Sequence, residues 1–232
     1  MARQNPRSTI VVWDVPLRLF HWLFAAAVAL ALLSSEEDSA LSGWHTTVGW
    51  TIAVLLAFRV LWGFVGGEHA RFASFVKLSA IGPHVREVLR GRPRPSLGHN
   101  ALGGIAVLLL LVLAGMTVVT GVMTMGGGEN ELHEVVAYAL LAMAAIHVVA
   151  VVIMSVLSHE NLIRAMIIGR KSAVAHPGSR DGRRASVAAH VTAICVVAAA
   201  VVAARAYDAR FPAARQGEHS SVSRGGSADR DD

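Results

Sequence analysis

Long apolar runs broken by short charged segments set the pattern of this chain. Two of the runs, Ala101 to Met125 and Val135 to Val156, contain no Asp, Glu, Lys or Arg. Each exceeds the roughly 20 residues that cross a hydrocarbon core of about 30 Å. Apolar runs set against charged breaks predict five spans, about Pro16 to Leu33, Trp44 to Val65, Ala101 to Met125, Leu132 to Leu157 and Ser186 to Ala204. The fifth is rich in Ala and Val and short of bulky residues, so an interfacial segment is its competing reading. The expected fold is all-α, an integral membrane bundle of four core transmembrane helices plus a fifth.

The charged breaks alternate in sign. Arg71, Lys77, Arg86, Arg90, Arg92 and Arg94 follow span two, and Arg164, Arg170, Lys171, Arg180, Arg183 and Arg184 follow span four. Glu36, Glu37 and Asp38 lie between spans one and two without Lys or Arg, and the turn Gly126 to Glu131 is Gly-rich and acidic. Positive loops stay inside, which predicts a multi-pass membrane protein with a cytoplasmic N-terminus bearing Arg3 and Arg7. A cleaved signal peptide is the rival reading of span one, but its loss would leave an outside N-terminus at odds with the basic loop after span two. The organisation expected is an N-terminal segment 1–15, a membrane domain 16–172, a basic cytoplasmic linker 173–185, a fifth span 186–204 and a disordered tail 205–232 rich in Ser, Gly, Arg and Asp.

Composition agrees with lipid as the solvent: the 232 residues are 54% hydrophobic and 16% charged, with a mean hydropathy of +0.51. The net charge of +5 would suggest nucleic acid in a soluble protein, yet the basic residues sit in particular loops, so no nucleic-acid partner is expected. Cys195 is the only cysteine, which excludes an intrachain disulfide, a four-cysteine iron–sulfur site and covalent haem attachment.

Ionisable residues inside spans are costly and point to function. Four histidines qualify. His21 lies near the inner start of span one, His45 at the outer start of span two, His133 at the outer start of span four, and His147 deep in span four. Fourteen residues at 100° each return to within about 40° of the starting direction while advancing about 21 Å, so His133 and His147 face one way. Depth then pairs His45 with His133 near the outer surface and His21 with His147 near the inner one. Two imidazoles facing each other across an apolar bundle can supply both axial ligands of a haem iron. Ser34, Thr46 and Thr120 are candidate partners for their second ring nitrogens. Arg59, fourteen residues after His45, shares its face near the inner pair and is assigned to haem propionates; Arg18 is a second candidate. Gly49, Gly63, Gly103, Gly104, Gly115 and Gly121 are candidates for making room for the macrocycle.

Each of these residues has a plainer reading. A histidine at a span end is commonly interfacial, Arg59 can snorkel to headgroups, and Met116, Met123, Met125 and Met143 read as packing residues. His69, His84, His99, His159, His176, His190 and His219 lie in loops, edges or the tail and read first as solvated, although His99 and His159 at the inner boundary are candidates for a quinone pocket.

The blocks Val12 to Trp22 (VWDVPLRLFHW), His45 to Gly49 (HTTVG), Phe58 to Gly66 (FRVLWGFVG), Ala70 to Phe75 (ARFASF), Leu97 to Gly103 (LGHNALG) and His159 to Arg170 (HENLIRAMIIGR) resemble the di-haem cytochrome b subunit of nickel–iron hydrogenases, within the bacterial cytochrome b561 superfamily. The resemblance covers about residues 10 to 172. It implies His21, His45, His133 and His147 as axial ligands of two non-covalent b haems. It also implies a four-helix core that passes electrons between the quinone pool and an outer-face partner, whether hydrogenase, c-type cytochrome or another dehydrogenase. The fifth span and tail depart from that pattern.

The expectation is therefore a respiratory electron carrier with bis-histidine haem, acting as the electron-transfer subunit of an oxidoreductase complex without an active site of its own. Its partners would be the lipid bilayer, a quinone, an outer-face redox protein and, as a candidate, a second copy of the chain. Two rivals stand beside it: a quinone-reducing superoxide oxidase, as the resemblance to related small cytochromes implies, and a haem-free metal or proton transporter.

Overall fold

The computed structural model describes residues 9–36, 38–75, 81–91, 96–128 and 130–210. Arg3, Arg7, Glu37, Lys77, Arg92, Arg94, His219 and the tail beyond Arg210 lie outside them.

A short strand β1 (Thr9–Val11) leads into α1 (Val15–Leu33), and a 3-10 turn at Ser42–Trp44 opens α2 (His45–Val65). Two short helices, α3 (Phe72–Phe75) and α4 (Ile81–Leu89), precede the long hairpin of α5 (Ala101–Met125) and α6 (Glu131–Leu157). Then come α7 (Leu162–Ile168), β2 (Arg170–Ser172) and α8 (Val187–Asp208). Five of these helical segments, Val15–Leu33, Ser42–Val65, Ala101–Met125, Glu131–Leu157 and Val187–Asp208, are long and apolar enough to cross a membrane. The chain is a helical membrane bundle, and the fifth span runs four residues past its expected end.

Capping residues set the helix starts. Asp14 accepts from Leu17 N at 2.9 Å ahead of α1, Asn100 from Gly103 N at 2.7 Å ahead of α5, and Ser186 from Ala189 N at 3.1 Å ahead of α8. Each satisfies an amide that the first helical turn would otherwise strand. Gly169, at φ 79°, closes α7 in the left-handed region, and its carbonyl accepts from Val12 N and Trp13 N. That junction lays β1 antiparallel on β2, with Ile10 opposite Lys171, an addition to the all-helical expectation. The bundle therefore has a ladder end, carrying β1–β2, and a hairpin end, carrying the α1–α2 and α5–α6 connections.

Helix α2 is central: α1, α5 and α8 pack on it, and α6 packs on α5. Ring contacts of Trp62 with His190 and of Trp50 with Tyr207 show that α8 runs antiparallel to α2 along its length. The segment between β2 and α8 is held down at the ladder end: Asp181 accepts from Val11 N, Gly182 N donates to Val11 O, and Glu68 accepts from Arg180 and from Arg183 N.

Buried apolar residues form two layers. Ala27, Val48, Ile52, Leu56, Ala114 and Leu140 fill the middle of the bundle, while Val12, Trp13, Leu17, Phe20, Trp62, Ala70, Ala189 and Ala193 close the ladder end. Of the glycines expected to admit a macrocycle, Gly63 and Gly104 instead receive the rings of Phe72 and Phe75 from α3, because a missing Cβ lets those rings sit on the helix backbone. A Cβ at Gly103 would meet its own cap, Asn100. Space remains open at Gly49 and Gly115, and Gly121 lies against the His133 ring.

Candidate haem-binding sites

At the hairpin end, His45 opens α2 and His133 lies in the first turns of α6, with ring centroids 6.2 Å apart and planes at 90°. His45 Nδ1 lies 3.1 Å from Ala31 O and 3.2 Å from Ser34 Oγ. His133 Nδ1 lies 3.1 Å from Thr117 O and 3.2 Å from Thr120 Oγ1. A carbonyl only accepts, so each Nδ1 carries the proton and each Nε2 keeps a free lone pair. The two hydroxyls donate to carbonyls of their own helices, Ser34 to Ala31 O and Thr120 to Met116 O, which leaves them as acceptors toward the rings. Two metal–imidazole bonds of about 2 Å each fit end to end between rings so spaced. The residues present thus fit an iron porphyrin: tautomer and orientation are fixed from behind each ring, and a Cβ on Gly121 would stand 3.1 Å from His133 Cε1.

At the ladder end, His21 lies within electrostatic reach of His147 and Arg59, so the second depth-matched pair is also brought together. The His21 Nδ1 is buried without a hydrogen-bond partner, in contrast to the fully backed rings of the first pair. Arg59 is 2% exposed. Its guanidinium carbon sits 4.9 Å above the Phe72 ring, yet its Nη1 is buried and unpartnered. Asp14 lies within electrostatic reach of it, but the Asp14 oxygens accept from Leu17 N, Trp62 Nε1 and Gly67 N. A buried, unsatisfied cation in a span calls for an anion, and a haem propionate has that chemistry. Arg18 donates to Ile167 O and keeps a buried, unpartnered Nε.

His99 is wedged between Trp13 and Phe75, both at 4.8 Å between centroids, with its Nδ1 shielded and unpartnered. Burial first, then the charge of Arg59 and the neighbouring His147, His21 and Lys171, pushes it down to about 3. His159 sits elsewhere, at a left-handed turn (φ 53°) after α6, lining a cavity of about 270 Å³ with Val152, Ser155, Val156, Glu160, Asn161 and Ile163. The structure therefore gathers His21, His147, Arg59 and His99 into one neighbourhood and leaves His159 in the lining of a separate cavity.

Three features escaped the reading of the sequence. Asp14 is a hub joining α1 to the end of α2, signalled only by its place before Val15 and Pro16 as a helix cap. His176, expected in solvent, is buried on Glu160 at 2.9 Å. His84 is buried too, 3.9 Å from Glu87. Among the described residues no three His, Cys, Asp or Glu side chains converge as a bare metal ion would need.

Comparison with known proteins agrees with this chemistry. Relatives named "Probable Ni/Fe-hydrogenase B-type cytochrome subunit" include one from Bradyrhizobium diazoefficiens, 22% identical over 214 residues, 71% of this chain and 87% of the relative. Another from Azotobacter vinelandii is 24% identical over 212 residues, covering 70% and 88%. A third, from Rhizobium leguminosarum bv. viciae, is 24% identical over 216 residues, covering 71% and 90%. No solved structure matches. A family profile described as prokaryotic cytochrome b561 matches residues 12–169, and the chain belongs to that family of membrane b-type electron-transfer cytochromes.

Proposed function

We propose that the protein binds two b haems, one on His45 and His133 and one on His21 and His147, and carries electrons between the quinone pool and a redox protein docked at the hairpin end. The reading rests above all on the His45–His133 pair, whose Nδ1 protons are both committed to carbonyls so that both Nε2 atoms remain for iron. Haem supplies a one-electron iron couple, and with two imidazoles on each iron no position is left for oxygen or substrate. The chain's residues do the rest: carbonyls fix the rings, Arg59 balances propionate charge, and the apolar middle layer keeps water out.

The basic segments at the ladder end support its placement on the cytoplasmic side of the bacterial inner membrane, with the hairpin end outside. A hydrogenase is the outer partner favoured by the relatives' names, and a quinone at the ladder end beside His99 would exchange electrons with the inner haem. The test is haem content and reduced-minus-oxidised spectra of the purified protein. Two haems per chain are expected, with H133A losing the hairpin-end haem and H147A the ladder-end one. A colourless protein, or equal loss of both haems in either variant, would refute the assignment. Saturable superoxide-to-quinone turnover by the isolated chain would favour the oxidase reading instead.

A further inference from the structure

Three titratable side chains meet out of solvent beneath the ladder end, each from a different piece of chain. Glu160 comes from the turn after α6, Lys171 from β2, and His176 from the segment that leads to α8. Lys171 and His176 are each 6% exposed. His176 Nε2 lies 2.9 Å from Glu160 Oε1. Lys171 Nζ lies 3.4 Å from Glu160 Oε2 and donates to Ser96 O at 2.6 Å. Burying such groups costs several kcal/mol per ion, and apolar residues of similar size would hold the segments together as well or better. A purely mechanical clamp therefore gains little from titratable chemistry.

The surroundings suggest a use for it. The Lys171 charge acts on His99 and on His69, and Ser96, whose carbonyl it holds, is three residues from His99. His176 sits where two successive turns meet, Ala173 to His176 and His176 to Ser179, most of whose other residues are exposed. The cluster thus reaches from just below the aqueous surface to the neighbourhood of His99, Arg59, His21 and His147. Among the described residues, the other titratable or charged groups near this region include the Glu68–Arg180 ion pair, the half-buried His69 and His159, which lines one cavity with Glu160. Burial lowers Lys171 from the ordinary amine range, opposed by the Glu160 carboxylate, so its proton is easier to give up than that of a solvated lysine.

We propose that His176, Glu160 and Lys171 form a proton relay serving quinone chemistry at the ladder end, an inference that rests on the quinone reading above. Quinone reduction takes two electrons, arriving singly, and two protons to give quinol. For each proton, the Lys171 ammonium gives one to the anionic quinone oxygen and becomes a neutral amine. The Glu160–His176 pair restores it and is itself restored from water. Quinol oxidation runs the same transfers in reverse, with Lys171 accepting.

The discriminating variant is K171R. Arginine keeps the positive charge and the donors to Ser96 O and Glu160 but does not release its proton at any working pH, so a clamp survives it and a relay does not. E160Q and H176Q similarly keep hydrogen bonds while removing titration. Haem reduction by duroquinol is followed by stopped flow from pH 6 to 9, alongside the pH dependence of both haem midpoint potentials. The expected result is about a hundredfold slower reduction by duroquinol in K171R, with unchanged haem content and dithionite-reduced spectrum. The ladder-end potential is expected to fall with rising pH in the unmodified protein and to lose that slope in K171R and H176Q. Unmodified rates and slopes in K171R would overturn the relay. If duroquinol fails to reduce the unmodified protein, the quinone reading is lost and the relay with it, whereas normal reduction with an unaffected K171R overturns the relay alone.

Discussion

Replacing Asp14 with alanine tests whether one carboxylate sets the geometry of the ladder-end pair. Three donors converge on it: Leu17 N at 2.9 Å, Trp62 Nε1 at 3.1 Å and Gly67 N at 3.0 Å. Loss of the cap costs about 1 kcal/mol. Trp62 is wholly buried, so its indole N–H finds no water, and a stranded buried donor costs about 1–3 kcal/mol. Gly67 is buried as well, and its stranded N–H costs about 1–3 kcal/mol more, giving about 3–7 kcal/mol in all. Asp14→Asn keeps one acceptor oxygen and should lose about half as much. Arg59 lies one turn before Trp62 on α2, and His21 lies two turns after Asp14 on α1, so the same junction aligns the buried guanidinium with the imidazole. The assay is thermal unfolding in detergent micelles followed by tryptophan fluorescence, together with haem-to-protein ratio. D14A should melt well below the unmodified protein and lose ladder-end haem before hairpin-end haem. Destabilisation under about 1 kcal/mol, or equal loss of both haems, would refute the reasoning.

Gly121→Ala places a methyl group 3.1 Å from His133 Cε1; the ring must yield by a few tenths of an ångström, and the electron paramagnetic resonance signal of the hairpin-end haem should shift while the ladder-end signal stays. Arg59→Leu removes the buried cation, so the ladder-end haem should bind more weakly or show a lowered midpoint potential, measured by redox titration. His99 is held neutral to about pH 3 in the folded protein against an ordinary value of 6.5; the unfolded chain therefore binds the extra proton first, and stability is full above pH 6.5 and falls as pH drops below it. Between pH 6.5 and 5 the loss is about 2 kcal/mol, read as a falling melting temperature that H99Q should flatten.

The spans were legible because their boundaries are set by apolar length, and α2, α5 and α6 begin within a residue of where charge and turn residues place them. The histidine pairs were legible for a related reason: rise and turn per residue convert sequence position into depth and facing direction. Ser34 and Thr120, named as candidate partners, do lie behind His45 and His133. What periodicity does not carry is the joining of short polar segments far apart in sequence. Nothing in the spacing links Glu160 to His176, Asp14 to Trp62, or Thr9 to Ser172. The role of Gly63 and Gly104 was misread for the same reason, since the rings that fill them come from α3, a helix of one turn with no repeating pattern of its own.

The middle layer of Ala27, Val48, Ile52, Leu56, Ala114 and Leu140 offers no hydroxyl, amide or ionisable side chain between the two histidine pairs. Under the two-haem proposal, an electron passing from one pair to the other crosses this apolar layer. Each such passage charges the bilayer like a capacitor plate, and a transmembrane voltage of 100 mV works on one charge crossing the full thickness with about 2.3 kcal/mol. On that proposal, the direction of current through this protein would respond to the energised state of its membrane.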